Sequence, residues 1–379
     1  MNRFGLYPTA AVATALATTA ALVTASPGGL AVRAADEGLR PYIVTTRDVG
    51  EAWRVGSRLR VTRYYAGVLA GFVAWLSPEQ AAGLTADRGV TGVEPDRLVT
   101  AQDVSWGLDR LDQRQLPLDG RTGHRGRHGG RHGGRGVTVY VLDTGLDAAH
   151  REFGGRAAVA FDATGGDGFD CNGHGTHVAG IIAGATVGVA RAAGIQAVRV
   201  LGCDGSGTVS DVIAGLDWVR TNAAGPSIAN LSLGAPRSRA LDTATTALVR
   251  SGVLVVAAAG NGGGDACRTS PSGASGVFGV AASDESDQRA PFSNHGRCVD
   301  LYAPGVDILS TWPDDTLRRL SGTSVAAPHV SGAAALRLGG NRSETPTSLF
   351  TWLKSTATSG VIVKNRGRTP NRLLNTGGR

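Results

Sequence analysis

Four short apolar runs constrain the architecture: "GVTVYVLD" at 136–143, "IQAVRVLG" at 195–202, "SIANLSLG" at 227–234 and "GVLVVAAAGN" at 252–261. Each is continuous and rich in β-branched residues, as in a strand buried on both faces. Between them lie helix-like stretches, "HGTHVAGIIAGA", "SDVIAGLDWVRTNA" and "RALDTATTALVRSG". Buried strands alternating with helices predict an α/β domain around a mostly parallel sheet.

In an open parallel sheet the binding crevice lies beyond the carboxyl ends of the strands. At those ends the sequence places Asp143, the "CDGSGT" loop with Gly205, Ser206 and Gly207, then Ser232, Leu233 and Gly234, then Asn261. His174 opens one predicted helix and Ser324, in "SGTSVAAPHVSG", another. Taken alone, Ser324 reads as a helix N-cap. Pro328 has no N–H for the carbonyl of Ser324, which places the serine at or before the first turn, and the helix stops at Gly339-Gly340. Taken with the rim, the three side chains have another use. A serine hydroxyl becomes nucleophilic when a base takes its proton, and that base needs a third group to fix its tautomer. No G-x-S-x-G turn surrounds Ser324, so an α/β-hydrolase esterase loses ground. The Ser324 N–H and the Asn261 amide would serve as donors to an oxyanion.

The rest of the chain divides around this domain. Residues 1–35, with one early Arg and an Ala/Thr/Val/Leu run, have the shape of a secretory signal, with cleavage expected between 25 and 35. Residues 36–100 read as a small α+β unit: strands in "PYIVTT" and "LRVTRYYAGVLAGFVAWL", a capped helix in "SPEQAAGLTAD" and a closing strand in "GVTGVEPDRLV". The Gly/Arg/His segment at 121–136 repeats RHGG and spaces His124, His128 and His132 four apart, but its glycines forbid a helix, so it reads as a solvated loop. The net charge of +7 is concentrated partly in that segment, and no nucleic-acid recognition module accompanies it. No stretch reads as a membrane span. Four cysteines in an exported chain are disulfide candidates with three possible pairings.

The motifs "VYVLDTGLD", "NGHGTHVAG", "AAAGN" and "SGTSVAAPHVSG", in this order, resemble those of the subtilisin-like serine proteases, with the closest fit to the proteinase K and aqualysin branch. The resemblance runs from about Trp106 to "PNRLL" and implies a three-layer αβα peptidase domain at 101–379, made with an N-terminal ferredoxin-like inhibitory propeptide. It implies Asp143 as orienting acid, His174 as general base, Ser324 as nucleophile and Asn261 as oxyanion donor, with no catalytic metal. Residues 205–207 and 232–234 match the two edges that clamp an extended peptide. The resemblance also pairs Cys171 with Cys203 and Cys267 with Cys298, and places a structural calcium on Ser275, Val277 and Asp300. His150, His177 and His329 read as structural. The function implied is a secreted, monomeric serine endopeptidase, acting on protein or peptide substrates and cutting itself within 99–102. Val325 and Ala327 depart from the Met and Thr common in the family, and the 121–136 loop has no counterpart there. The rivals are a catalytically silent peptide-binding scaffold, against which the full set of reactive groups counts, and an arginine-rich nucleic-acid binder.

Overall fold

The computed structural model describes residues 38–67, 69–96, 105–122 and 132–377. The leader, the self-cleavage segment, His124 and His128 lie outside the described residues. The chain divides into two compact units between Ala101 and Gln102.

The first unit runs β1 (Arg40–Thr46), α1 (Val49–Gly56), β2 (Val61–Tyr65), β3 (Gly71–Leu76), α2 (Pro78–Leu84) and β4 (Val90–Pro95). Its strands are antiparallel in the order β2-β3-β1-β4, the ferredoxin-like arrangement. The side chain of Asp48 caps α1, and Ser77 and Gln80 form a reciprocal capping box on α2. Val44, Phe72, Ala74 and Leu76 of the sheet pack against Ala52, Val55 and Ala81 of the helices.

The second unit begins with the short α3 (Trp106–Arg110). It continues through β5 (Thr138–Asp143), β6 (Ala157–Asp162), α4 (His174–Ala183), β7 (Gly194–Arg199), α5 (Val209–Asn222), β8 (Ser227–Leu231) and β9 (Ala235–Pro236). Then follow α6 (Arg239–Arg250), β10 (Leu254–Ala258), β11 (Thr269–Ser270), β12 (Phe278–Ser283), β13 (Leu301–Pro304), β14 (Ile308–Trp312) and β15 (Thr316–Leu320). The chain ends with α7 (Thr323–Gly340), α8 (Pro346–Thr356), β16 (Thr358–Ser359) and β17 (Arg372–Leu373). Nine strands form one sheet in the order β16-β17-β13-β12-β10-β8-β5-β7-β6, parallel except for β16 with β17.

The continuous apolar runs have a simple origin. Alternate residues of a strand point to opposite faces, and here each face meets a helical layer. Val139 and Val141 of β5, with Leu254 and Val256 of β10, enter the core shared with α4, α7 and α8. Tyr140 and Leu142, with Val255 and Ala257, enter the core under α5 and α6. The parallel strands bring their carboxyl ends to one edge.

Two features differ from the sequence reading. The tail of the Gly/Arg/His segment is built into the domain, since Gly134 is buried against Gly339 of α7 and the N–H of Ala192 donates to the Gly133 carbonyl. The glycines that forbid a helix are what allow this close approach. The hairpin β14–β15 went unread because the exposed "TLRRL" has no alternation to reveal it.

That hairpin holds α4: His177 Nε2 donates to the carbonyls of Ile308 at 3.1 Å and Arg318 at 3.0 Å. On α7, His329 Nδ1 donates to Val325 O at 2.9 Å. Burial pushes both imidazoles down to about 4. In the unfolded chain they titrate near the ordinary value of about 6.5. Between those pH values the unfolded state binds more protons, so stability is full above the window and falls as pH drops through it. Each histidine is expected to remove roughly 3 kcal/mol by the low end, at order-of-magnitude precision. Urea unfolding of a Ser324→Ala chain across this range checks it, and His329→Gln should flatten the curve. An unaltered slope in that variant would count against the assignment.

Candidate active site

Asp143 ends β5 and is fully buried. His174 is the first residue of α4, and its Nδ1 lies 2.7 Å from Asp143 Oδ1. The Thr144 N–H donates to the same oxygen at 2.8 Å, and Asp143 Oδ2 has no partner among the described residues. From Gly173 to Gly180 every residue is buried except His174. Gly173 holds φ +103°, and a Cβ there would lie 2.2 Å from the Trp312 ring, so the turn that presents the histidine requires glycine.

A second buried carboxylate organises this turn. Asp170 Oδ1 accepts from Thr144 Oγ1 and from the N–H groups of Asn172 and Gly173, while Oδ2 accepts from the N–H and hydroxyl of Thr176. The Gly175 N–H donates in turn to Thr144 Oγ1. Burial opposes charge on His174, but the Asp143 carboxylate at its Nδ1, with Asp170 behind, outweighs burial and raises its pKa above 6.5.

Ser324 is the second residue of α7, inside the helix, while Gly322 occupies the cap position. From Gly322 to Val330 every residue is buried except Ser324. The carbonyl that Pro328 leaves without a helical partner accepts from Ser232 Oγ at 2.6 Å. Ser232 Oγ also accepts from Asn230 Nδ2, and Ser331 donates to Asn230 Oδ1.

Asn261 stands exposed past the end of β10. Its Oδ1 accepts from the Thr323 N–H at 2.9 Å and the Thr323 hydroxyl at 2.8 Å, which assigns the amide orientation. A Cβ placed on Gly322 would lie 2.8 Å from Ser324 Oγ, 3.3 Å from Asn261 Nδ2 and 3.6 Å from Ser324 N. A hydroxyl and two N–H donors therefore border one small space, which Gly322 leaves open. His174, Asn261 and Ser324 line one cleft of about 690 Å³, together with Gly205, Ser206 and Gly207 on one side and Ser232, Leu233 and Gly234 on the other. Ser232 is nearly buried and turned toward α7, so Leu233 and Gly234 present that edge.

Both disulfides form, Cys171–Cys203 and Cys267–Cys298. The first ties the segment before His174 to the loop that carries Gly205–Gly207, where Asn172 Nδ2 also donates to Cys203 O.

Sequence reasoning passed over Asp170, Thr144, Thr323, Asn230 and Ser331. Two of them left a signal: a carboxylate four residues before His174, and an asparagine inside the otherwise apolar run "SIANL".

The residues expected to hold calcium have other partners. Asp300 Oδ1 is 2.6 Å from Lys354 Nζ, and its Oδ2 accepts from the Gly279 N–H at 2.9 Å. The Ser275 carbonyl accepts from Thr246 Oγ1. A cation already sits on the only carboxylate of the set, so Ser275, Val277 and Asp300 do not fit a calcium ion in this fold.

Residues 134–377 match the model of the subtilase family. The chain is 47% identical over 326 residues to an extracellular serine proteinase of Thermus sp. strain Rt41A, covering 84% of this chain and 78% of that protein. It is 45% identical over 328 residues to alkaline serine exoprotease A of Vibrio alginolyticus, covering 83% of this chain and 60% of that protein. Among solved structures it is similar to a cold-adapted subtilisin-like serine proteinase, with TM-score 0.69 and 48% identity over 72% of this chain and 98% of that one.

Gly322→Ala is expected to leave the fold intact, because its φ of 163° is extended backbone that alanine adopts. The new methyl would displace Ser324 Oγ and fill the space between the donors. Peptide hydrolysis should fall by at least about 10²–10³, the cost of losing one oxyanion donor. Circular dichroism and a kcat measurement check the two halves, and an unchanged kcat would remove this space from the chemistry.

Proposed function

This chain belongs to the subtilase family, and we propose that it is a secreted serine endopeptidase made as a self-processing zymogen. The observation that carries the proposal is the convergence of Ser324 Oγ, Ser324 N–H and Asn261 Nδ2 on the space over Gly322, in the cleft that His174 also lines. Extracellular relatives support export, and among the described residues no helix is long and apolar enough to cross a membrane.

In this mechanism His174 donates its Nδ1–H to Asp143, leaving Nε2 unprotonated to take the Ser324 hydroxyl proton. The Ser324 oxygen attacks the scissile carbonyl carbon, whose oxygen becomes an oxyanion held by Asn261 Nδ2 and the Ser324 N–H. The imidazolium then protonates the departing amine, leaving an acyl-enzyme. Water, deprotonated by His174, hydrolyses the acyl group and restores the serine. An extended protein or peptide substrate pairs its backbone with the edges at 205–207 and 232–234, a form of strand addition that reads main chain first. Ser324 cuts its own chain within 99–102, and the first unit acts as an inhibitor whose new C-terminal tail is a product of that cut.

Ser324→Ala should abolish both peptide hydrolysis and labelling by a fluorophosphonate, and should accumulate as the uncut precursor. N-terminal sequencing of wild type should find a chain beginning near residue 100. A Ser324→Ala chain that matures normally in a protease-free host would overturn self-processing, while retained hydrolysis would overturn the triad.

The raised pKa of His174 sets the acid limb of the pH–rate profile. The base must be neutral, so kcat/KM falls as pH drops through that value, above 6.5 rather than below it. Asp143→Asn should move the limb down and lower the plateau. A limb that stays in place would separate Asp143 from the base.

A further inference from the structure

Of the 38 basic residues only two are lysines, Lys354 and Lys364. Arginine therefore meets nearly every need for positive charge in this chain. Lys354 stands where the chemistry asks for something arginine does not provide.

Lys354 lies in the last turn of α8, and its ammonium is 2.6 Å from Asp300 Oδ1. It also sits 4.4 Å from the ring centre of Phe350, one helical turn earlier, which packs edge-on against Phe278 of β12. Asp300 immediately precedes β13, and its second oxygen is fixed by the Gly279 N–H of β12. The side chains are partly shielded, at 33% exposed for Lys354 and 15% for Asp300. The carboxylate thus joins two adjacent strands to a helix, with the Lys354 ammonium on one oxygen and the charge of Arg372 from β17 also acting on it. An ammonium is a compact point charge with donors pointing in several directions, whereas a guanidinium is a planar fork. It is the side-chain group closest to a small bound cation.

We propose that the Lys354 ammonium is a tethered substitute for the metal ion: it occupies the cation position at Asp300, so this junction of β12, β13 and α8 holds without calcium. Such a chain keeps this part of its fold where free calcium is scarce, and chelation cannot strip the cation away. The proposal is independent of the catalytic assignment, because neither residue lines the cleft.

The test uses the full chain carrying Ser324→Ala, so that autolysis does not interfere. Bound calcium is counted by atomic absorption after gel filtration in calcium buffer, and melting is followed with calcium and with EDTA. Lys354→Met should bind one more calcium per chain than its parent and gain a calcium-dependent rise in Tm that the parent lacks. Asp300→Asn should leave the parent's calcium count unchanged. Two results overturn the proposal: a folded Lys354→Met chain with no added calcium, or loss of a calcium on Asp300→Asn substitution. Should Lys354→Met not fold, the Asp300→Asn count decides by itself.

Discussion

The cleft depends on the pair of hydrogen bonds from Thr323 to Asn261 Oδ1. A terminal amide has an accepting end and a donating end, and an exposed asparagine is free to exchange them. Occupying the oxygen with two donors from the first turn of α7 leaves only the NH₂ group to face the space over Gly322. The same residue ties the other side, since the Gly260 N–H donates to Thr323 Oγ1. Pro328 then does at the next position what Thr323 does at the first. By withholding its N–H it frees the Ser324 carbonyl, which Ser232 takes, and Asn230 and Ser331 carry the network into the buried sheet. A buried polar group stripped of its partner costs about 1–3 kcal/mol, so this network resists rotation of the turn. The donors are aimed before any substrate arrives.

The charge on the other side of the cleft is arranged with equal economy. Asp170 spends both oxygens on five donors around the N-terminus of α4, where orphan N–H groups favour negative charge. Among the described residues Asp143 receives the Thr144 N–H and His174, both on Oδ1, and no hydrogen bond reaches Oδ2. The carboxylate that shapes the backbone is saturated, and the one that faces the imidazole is not. The Asp143 carboxylate at Nδ1, with the charge of Asp170 behind it, is what outweighs burial at His174.

Much of this was legible beforehand, for definite reasons. Strands buried on both faces leave continuous apolar runs, so β5, β7, β8 and β10 and the polar groups at their ends could be placed from the sequence. The capping signals at Ser77 and Gln80 are local, and α2 begins where they stand. What escaped were interactions between distant segments. Nothing within "DCNGHGTH" states that Asp170 serves the helix rather than a ligand, and Thr323 reads as an ordinary small residue until Asn261 is beside it. The cap reading of Ser324 was displaced by one turn geometry: Gly322 takes the cap position, which places the hydroxyl on the cleft side instead of over the helix end. The partner of Asp300 escaped for a related reason. A ligand pattern carried by resemblance names Asp300 but says nothing of Lys354, more than fifty positions away.

The contrast between Lys354 and the buried arginines shows how this chain divides its cations by shape. Arg110 is fully buried and meets both oxygens of Asp287, Nε on Oδ1 at 2.8 Å and Nη2 on Oδ2 at 2.9 Å. Arg289 Nη1 donates to the carbonyls of Ala290, Pro291 and Ser293. Around Arg110 a planar fork is matched to both oxygens of one carboxylate, which is how a buried guanidinium offsets its desolvation, whereas Arg289 gathers its acceptors on Nη1 and its Nε has no partner among the described residues. At Asp300 no such pattern exists, because one oxygen is committed to the Gly279 N–H and only one remains. An ammonium there places its single charge on the free oxygen and over the aromatic face. The geometry of the acceptor, one open oxygen beside a ring, suits a compact ammonium in a chain with only one other lysine.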